Sequence, residues 1–163
     1  MSILAKPTRA LKPKTKESQQ MAIILAAILV VMAVAQLYTF DTFILLVPSF
    51  NLPLAGALPY VIAPLIVAAE VFALPFLLRM YLSPAFRWVS MFFGWLTALL
   101  WIFITIWVVG SSQPVENIGF LGTVTDLVPG WWALCVSVGL GILSAWASWG
   151  LWPPAISLHN TKK

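Results

Sequence analysis

The chain has 163 residues, 61% of them hydrophobic and only 9% charged, where a soluble protein carries roughly half and roughly a quarter. So few charges cannot cover so much apolar surface in water, which excludes a soluble globular domain and makes the lipid bilayer the solvent. The formal net charge of +4 is not a nucleic-acid footprint, because the basic residues cluster at the chain ends and in one short linker.

Residues 1–20 are polar and basic, with Lys6, Arg9, Lys12, Lys14 and Lys16 and two prolines, Pro7 and Pro13. They are expected to form a disordered tail that sets topology or touches anionic lipid. The first span is expected over residues 21–38, since about 20 helical residues cross the hydrocarbon layer. Its end, Ala33-Val34-Ala35-Gln36, resembles a signal-peptidase site. The basic region before it is long, however, and the apolar run continues to Phe40, so a retained span is expected. From 39 to 56 the chain is apolar but broken by Pro48 and Pro53. Phe40, Phe43 and Phe50 predict a short segment lying in the membrane interface, with Asp41 at the headgroups or capping it.

The second span, 57–78, contains Pro59, Pro64 and Pro75 and is expected to bend. Arg79, Tyr81, Ser83-Pro84 and Arg87 mark a turn at the membrane surface. The third span, 86–109, has Trp88 near one end and Trp107 near the other, as aromatic belts require. Gly, Ser, Asn and Pro in 110–130 predict a hydrophilic loop with little regular structure. The fourth span, 131–152, stops at Pro153-Pro154, and 153–163 form a short tail. The result is an all-α, integral membrane four-helix bundle without internal repeats.

Lys and Arg beside a span tend to stay in the cytoplasm. With four spans, the N-terminal tail, the linker carrying Arg79 and Arg87, and the end carrying Lys162 and Lys163 share one side. The two remaining linkers hold Asp41, Glu116 and Asp126 and no Lys or Arg. Both termini are therefore expected in the cytoplasm.

Glu70 is the candidate functional residue. An acid well inside a span costs on the order of 2.5–3.5 kcal/mol on insertion scales and should face the bundle interior. No basic residue lies inside a span where it could pair with Glu70, Arg87 standing only at the opening of the third, and Arg79 is about 13 Å along a helix axis at standard rise. Glu70 is therefore expected to be neutral and hydrogen-bonded at rest. Pro75 cannot donate to the Val71 carbonyl, nor Pro64 to that of Tyr60, which leaves loosened acceptors nearby. The chemistry open to such a spot is proton acceptance or ligand binding; the bland alternative is a neutral strut between helices. Candidate polar partners are Gln36, Thr97, Thr105 and Ser144, with Ser137 and Ser148 also within a span. Thr97, Trp101 and Thr105 share one helical face, although a threonine often bonds its own helix.

Ser137, Gly141 and Ala145 recur at four-residue spacing and predict close helix packing, against a helix of this bundle or of another subunit. The single cysteine, Cys135, is expected to be a buried hydrophobe, and it excludes an internal disulfide. His159 is the sole histidine and lies in the tail, so no metal cluster can be assembled around it.

In its order of features the chain resembles the DoxX/MauE-like family of small four-span bacterial membrane proteins, over roughly residues 21–152. The matching features are Phe40-Asp41-Thr42-Phe43 after the first span, Pro53 before the second, the acid in Ala68-Ala69-Glu70, the apolar run to Arg79, and Arg87 opening the third span. The resemblance implies an accessory protein of the bacterial inner (plasma) membrane that assists a partner oxidoreductase, linked to quinone reduction or to maturation of a periplasmic dehydrogenase. Glu70 matches the family's acid in its second span. The chain has no cysteine pair, so the redox centre, or a quinone, would belong to a partner, with no cofactor on the chain itself. A small transport or lipid/quinone-binding protein and a purely structural membrane subunit are the alternatives.

Overall fold

The computed structural model describes residues 12–53, 58–111 and 114–152. His159, Pro153-Pro154, Lys162 and Lys163, the tail residues before Lys12 and the start of the second span at 57 lie outside the described residues. Four helices are long and apolar enough to cross a membrane, and among the described residues there is no strand. The all-α four-helix bundle expected from hydropathy is what the chain forms.

Helix α1 spans Lys16–Tyr38. It starts at Lys16 rather than Met21 because Thr15 caps it: the Thr15 hydroxyl oxygen accepts from Ser18 N at 3.1 Å, and Ser18 Oγ donates back to the Thr15 carbonyl at 2.8 Å. Glu17 in the first turn suits the positive end of the helix dipole. The last turn closes on Thr39, and helix α2 follows at Phe40–Leu46, continued by a 3₁₀ turn over Val47–Phe50. This short segment forms as expected, but its aromatic side points inward: Phe43, Val47 and Phe50 are fully buried. Thr39, not Asp41, occupies the cap position, and Asp41 is exposed.

Helix α3 spans Leu58–Leu77 with Pro64 and Pro75 inside it. It ends in a Schellman turn, with Arg79 N donating to Phe76 O at 3.1 Å and Met80 N to Pro75 O at 3.0 Å. Arg79 takes the left-handed conformation this turn requires, with φ 56°. Helix α4, Pro84–Gly110, opens with Ser83 as cap and Pro84 in its first turn. Helix α5 spans Trp131–Gly150.

The four long helices close into a ring in which α1 packs on α3, α3 on α4, α4 on α5 and α5 on α1. Leu25, Leu29, Ile66, Trp101 and Ile104 fill the interior, while Val31, Val34, Leu99, Ile106 and Ile142 cover the outside, as expected of a bundle whose solvent is hydrocarbon. Cys135 is on this outer surface, not in the core. The helix ends bearing Lys14, Arg79 and Arg87 define a tail face, and the opposite end is a loop face. At the tail face Lys14 N donates to Gly150 O at 3.0 Å, and the Lys14 ammonium sits 4.9 Å from the centre of the Trp149 ring. Only glycine fits at 150, since a Cβ there would lie 2.0 Å from Ser18 Cβ.

The packing stripe of α5 runs through Ala133, Ser137, Leu140, Ser144, Ala147 and Ser148. Ser137 is fully buried, whereas Gly141 and Ala145 are half-buried at its margin. A row of four-residue steps drifts around a helix of 3.6 residues per turn, so the buried seam departs from it. A Cβ at Gly141 would meet Ile102 of α4 at 3.3 Å, so this close approach is made within the bundle.

The described residues between α4 and α5 form neither helix nor strand, but they are not a solvated excursion. Val115, Asn117, Ile118 and Phe120 are buried, and the segment folds over the loop-face end of the ring. Asn117 makes that burial tolerable by serving backbone groups. Its Nδ2 donates to the carbonyls of Gly122 at 3.0 Å and Thr125 at 3.1 Å, and its Oδ1 accepts from Gly119 N at 2.8 Å. Ile118 N adds a bond to Leu127 O at 2.8 Å.

Candidate functional site

Glu70 lies on the inward side of α3, where Ile66, Ala69 and Ala73 also face the core, and is fully buried. Its Oε1 accepts two hydrogen bonds, from Trp101 Nε1 of α4 at 3.0 Å and from Gln36 Nε2 of α1 at 3.3 Å. Three helices thus converge on one carboxyl oxygen. The Gln36 amide also donates to the Phe120 carbonyl at 3.1 Å, tying the loop segment to the same centre. The Phe120 ring stacks at 4.5 Å on that of Trp101 and stands 6.0 Å from Trp132.

Two atoms of this centre have no hydrogen-bond partner among the described groups: Glu70 Oε2 and Gln36 Oε1. Both belong to fully buried side chains. Between Lys16 and Arg79, and again between Arg87 and His159, the sequence has no Lys, Arg or His, so beyond Lys16 at the start of α1 and Arg87 in the first turn of α4 the helices carry no cation. A carboxyl with one oxygen doubly bonded and the other bare, beside a bare amide oxygen, can hold or pass a proton. It can equally engage a small hydroxyl-bearing molecule through one donor and one acceptor.

Of the partners expected from sequence, Gln36 joins the acid and the others do not. Thr97 Oγ1 donates to Phe93 O at 3.0 Å in its own helix. Thr105 Oγ1 lies 2.7 Å from Trp101 O and 3.2 Å from Ser137 Oγ, linking α4 to α5. Ser144 Oγ donates to Gly94 O of α4 at 3.3 Å. These hydroxyls stitch helices and satisfy carbonyls. Arg79 and Arg87 belong to the tail face and take no part in the centre.

Trp101 and the Phe120 carbonyl complete the site and are not among the partners expected from sequence. For Trp101 the signal was present: a tryptophan on the same face as two threonines carries an N–H that needs an acceptor when buried. The Phe120 carbonyl leaves no trace in the sequence. Pro75 does break the backbone ladder, but the repair comes from Ser90 of α4, whose Oγ accepts from Phe76 N at 3.0 Å and donates to Phe72 O at 2.6 Å. The α4 hydroxyl is thereby inserted into the α3 ladder. Among the described residues no group of His, Cys, Asp and Glu is arranged to hold a metal ion.

Fold and site together define a multi-pass membrane protein, a helical bundle with one buried acid–amide–indole centre. No protein-family model, no curated protein and no solved structure matches the chain.

Proposed function

We propose that the protein is an accessory subunit of the bacterial inner (plasma) membrane that assists a partner oxidoreductase or redox maturation pathway, with Glu70 as its proton-accepting site. The observation that carries this reading is the pair of bare, fully buried atoms, Glu70 Oε2 and Gln36 Oε1. Intramembrane hydrogen bonds contribute on average under about 1 kcal/mol. A glutamate kept only as a strut would return little for its insertion cost and would use both oxygens. Exchange of a proton gives the free oxygen a purpose. The redox centre, or a quinone, would belong to the partner, since the lone cysteine cannot form an internal disulfide. The DoxX/MauE-like order of features supports the accessory role. The basic residues at the tail face support an orientation with both termini in the cytoplasm.

The test is purification in mild detergent through a tag on the N-terminal tail, from cells carrying either the native chain or Glu70→Gln. A redox protein should co-purify with both, because Gln keeps an acceptor for Trp101, while the pathway's activity should fall only in the variant. A preparation without a redox companion, or unaltered activity in Glu70→Gln, refutes the proposal.

A further inference from the structure

The two ends of the bundle differ in what separates Glu70 from water. Toward the tail face the interior is filled by apolar side chains, among them Leu25, Leu29, Ala73, Phe76 and Met91, all buried. Three of the hydroxyls on that side are committed to backbone carbonyls, Ser90 to Phe72, Thr97 to Phe93 and Ser144 to Gly94, and Ser148 is the remaining buried one on α5.

Toward the loop face the end of the ring is closed by the short segment bearing Phe43 and Phe50, both buried, and by the chain between α4 and α5. Gln36 stands in the last turn of α1, and the segment Asn117–Thr123 lies directly upon it. A Cβ at Gly122 would come within 3.1 Å of Gln36 Cα and 2.2 Å of Thr39 Oγ1. This layer is attached to the helices by side-chain hydrogen bonds, Gln36 to the Phe120 carbonyl, Thr123 N to Thr39 Oγ1 at 3.0 Å and the contact between the Thr42 and Thr123 hydroxyls, and by the burial of Ile118 and Phe120. Glu116, Thr125 and Asp126 on its rim are exposed.

We infer that Asn117–Thr123 is a lid over the acid–amide centre, and that Glu70 exchanges its proton with water of the loop face alone. When the lid lifts, Gln36 releases the Phe120 carbonyl and the bare oxygens meet water. The carboxyl proton leaves to that water and another returns, with no net change in charge. This rests on Glu70 being the proton-accepting site proposed above. A loop joined to the helices by side-chain bonds and a few apolar contacts is a separate opening unit that can lift without unfolding the helices. The apolar filling offers no comparable route at the tail face.

The test is a reversible lock. In a Cys135→Ser background, Thr42→Cys and Thr123→Cys place two thiols where two hydroxyls now touch, within reach of a disulfide. The protein is reconstituted in lipid and moved into deuterated water. The Glu70 carboxyl stretch, identified by its loss in Glu70→Gln, is then followed by infrared spectroscopy. Oxidation should slow its deuterium shift by about tenfold or more, and reduction of the same sample should restore the rate. Equal rates in the oxidised and reduced protein would remove the lid and leave the proton site standing. A carboxyl band that is absent, or that never exchanges in either state, would overturn the proton reading and the lid with it.

Discussion

Ser90→Ala tests whether one hydroxyl holds α3 together at its proline. Ser90 is fully buried, and its Oγ bridges Phe76 N at 3.0 Å and Phe72 O at 2.6 Å. Without it, one N–H and one C=O face each other across a gap that the Pro75 ring keeps open, in a place water does not reach. An orphaned buried group costs about 1–3 kcal/mol, whereas hydrogen bonds inside membranes average only about 0.6 kcal/mol because the unfolded chain also finds partners. Two orphans with partial relaxation of the helix give about 2 kcal/mol, or roughly a thirtyfold shift in the unfolding equilibrium. Thr97→Ala is the matched control. Its hydroxyl bonds only the Phe93 carbonyl of its own helix, so its removal should cost under about 0.5 kcal/mol. Both variants are unfolded by SDS titration from mixed micelles and followed by tryptophan fluorescence. If the two midpoints coincide, the hydroxyl does not span the break, and the account of α3 fails.

Trp101→Phe keeps an aromatic ring against Phe120 but deletes the donor to Glu70, and should lower stability by about 1–3 kcal/mol in the same titration; no loss would show that the indole bond is dispensable. Gly122→Ala puts a Cβ 2.2 Å from Thr39 Oγ1 at a residue with φ 59°. It should displace the loop at a cost of about 1–3 kcal/mol, seen as faster proteolysis between α4 and α5 with helix content unchanged by circular dichroism. Gly150→Ala should destabilise the tail face through the clash with Ser18, and adding Ser18→Gly should recover part of the loss. A double-mutant cycle should give a coupling of about 1 kcal/mol, and simple additivity would mean that the two helix ends are not in contact.

The four helices were legible because their apolar runs are long enough for a bilayer and interrupted by turn residues. Glu70 and Gln36 were legible because a carboxyl and an amide in hydrocarbon must find partners, and the inventory of candidates was short. Trp101 was missed as a partner because an indole reads first as an apolar side chain. The inward turn of Phe43 and Phe50 was missed for a related reason, since aromatic residues beside a membrane suit the interface and the core equally well. The buried loop was hidden more deeply. Its Gly, Ser, Asn and Pro content reads as solvated, yet Asn117 supplies from within the backbone partners that water would otherwise provide. The start of α1 was displaced by a cap, Thr15, set within a basic stretch that reads as tail. The Ser90 bridge could have been suspected only by asking what repairs Pro75 across a helix interface, which hydropathy does not reveal.

Because α5 is the member that joins α4 back to α1, the ring cannot close until the final stretch of the bundle has left the ribosome. Gln36 is synthesised 34 residues before Glu70 and 84 before Phe120, so its amide is made ahead of the groups that satisfy it. A chain stopped short of Trp131 would leave α1 with an uncovered flank, since α5 is one of its two long neighbours. The amide of Gln36 is satisfied once the segment bearing Phe120 arrives, whereas the flank of α1 is covered only when α5 docks.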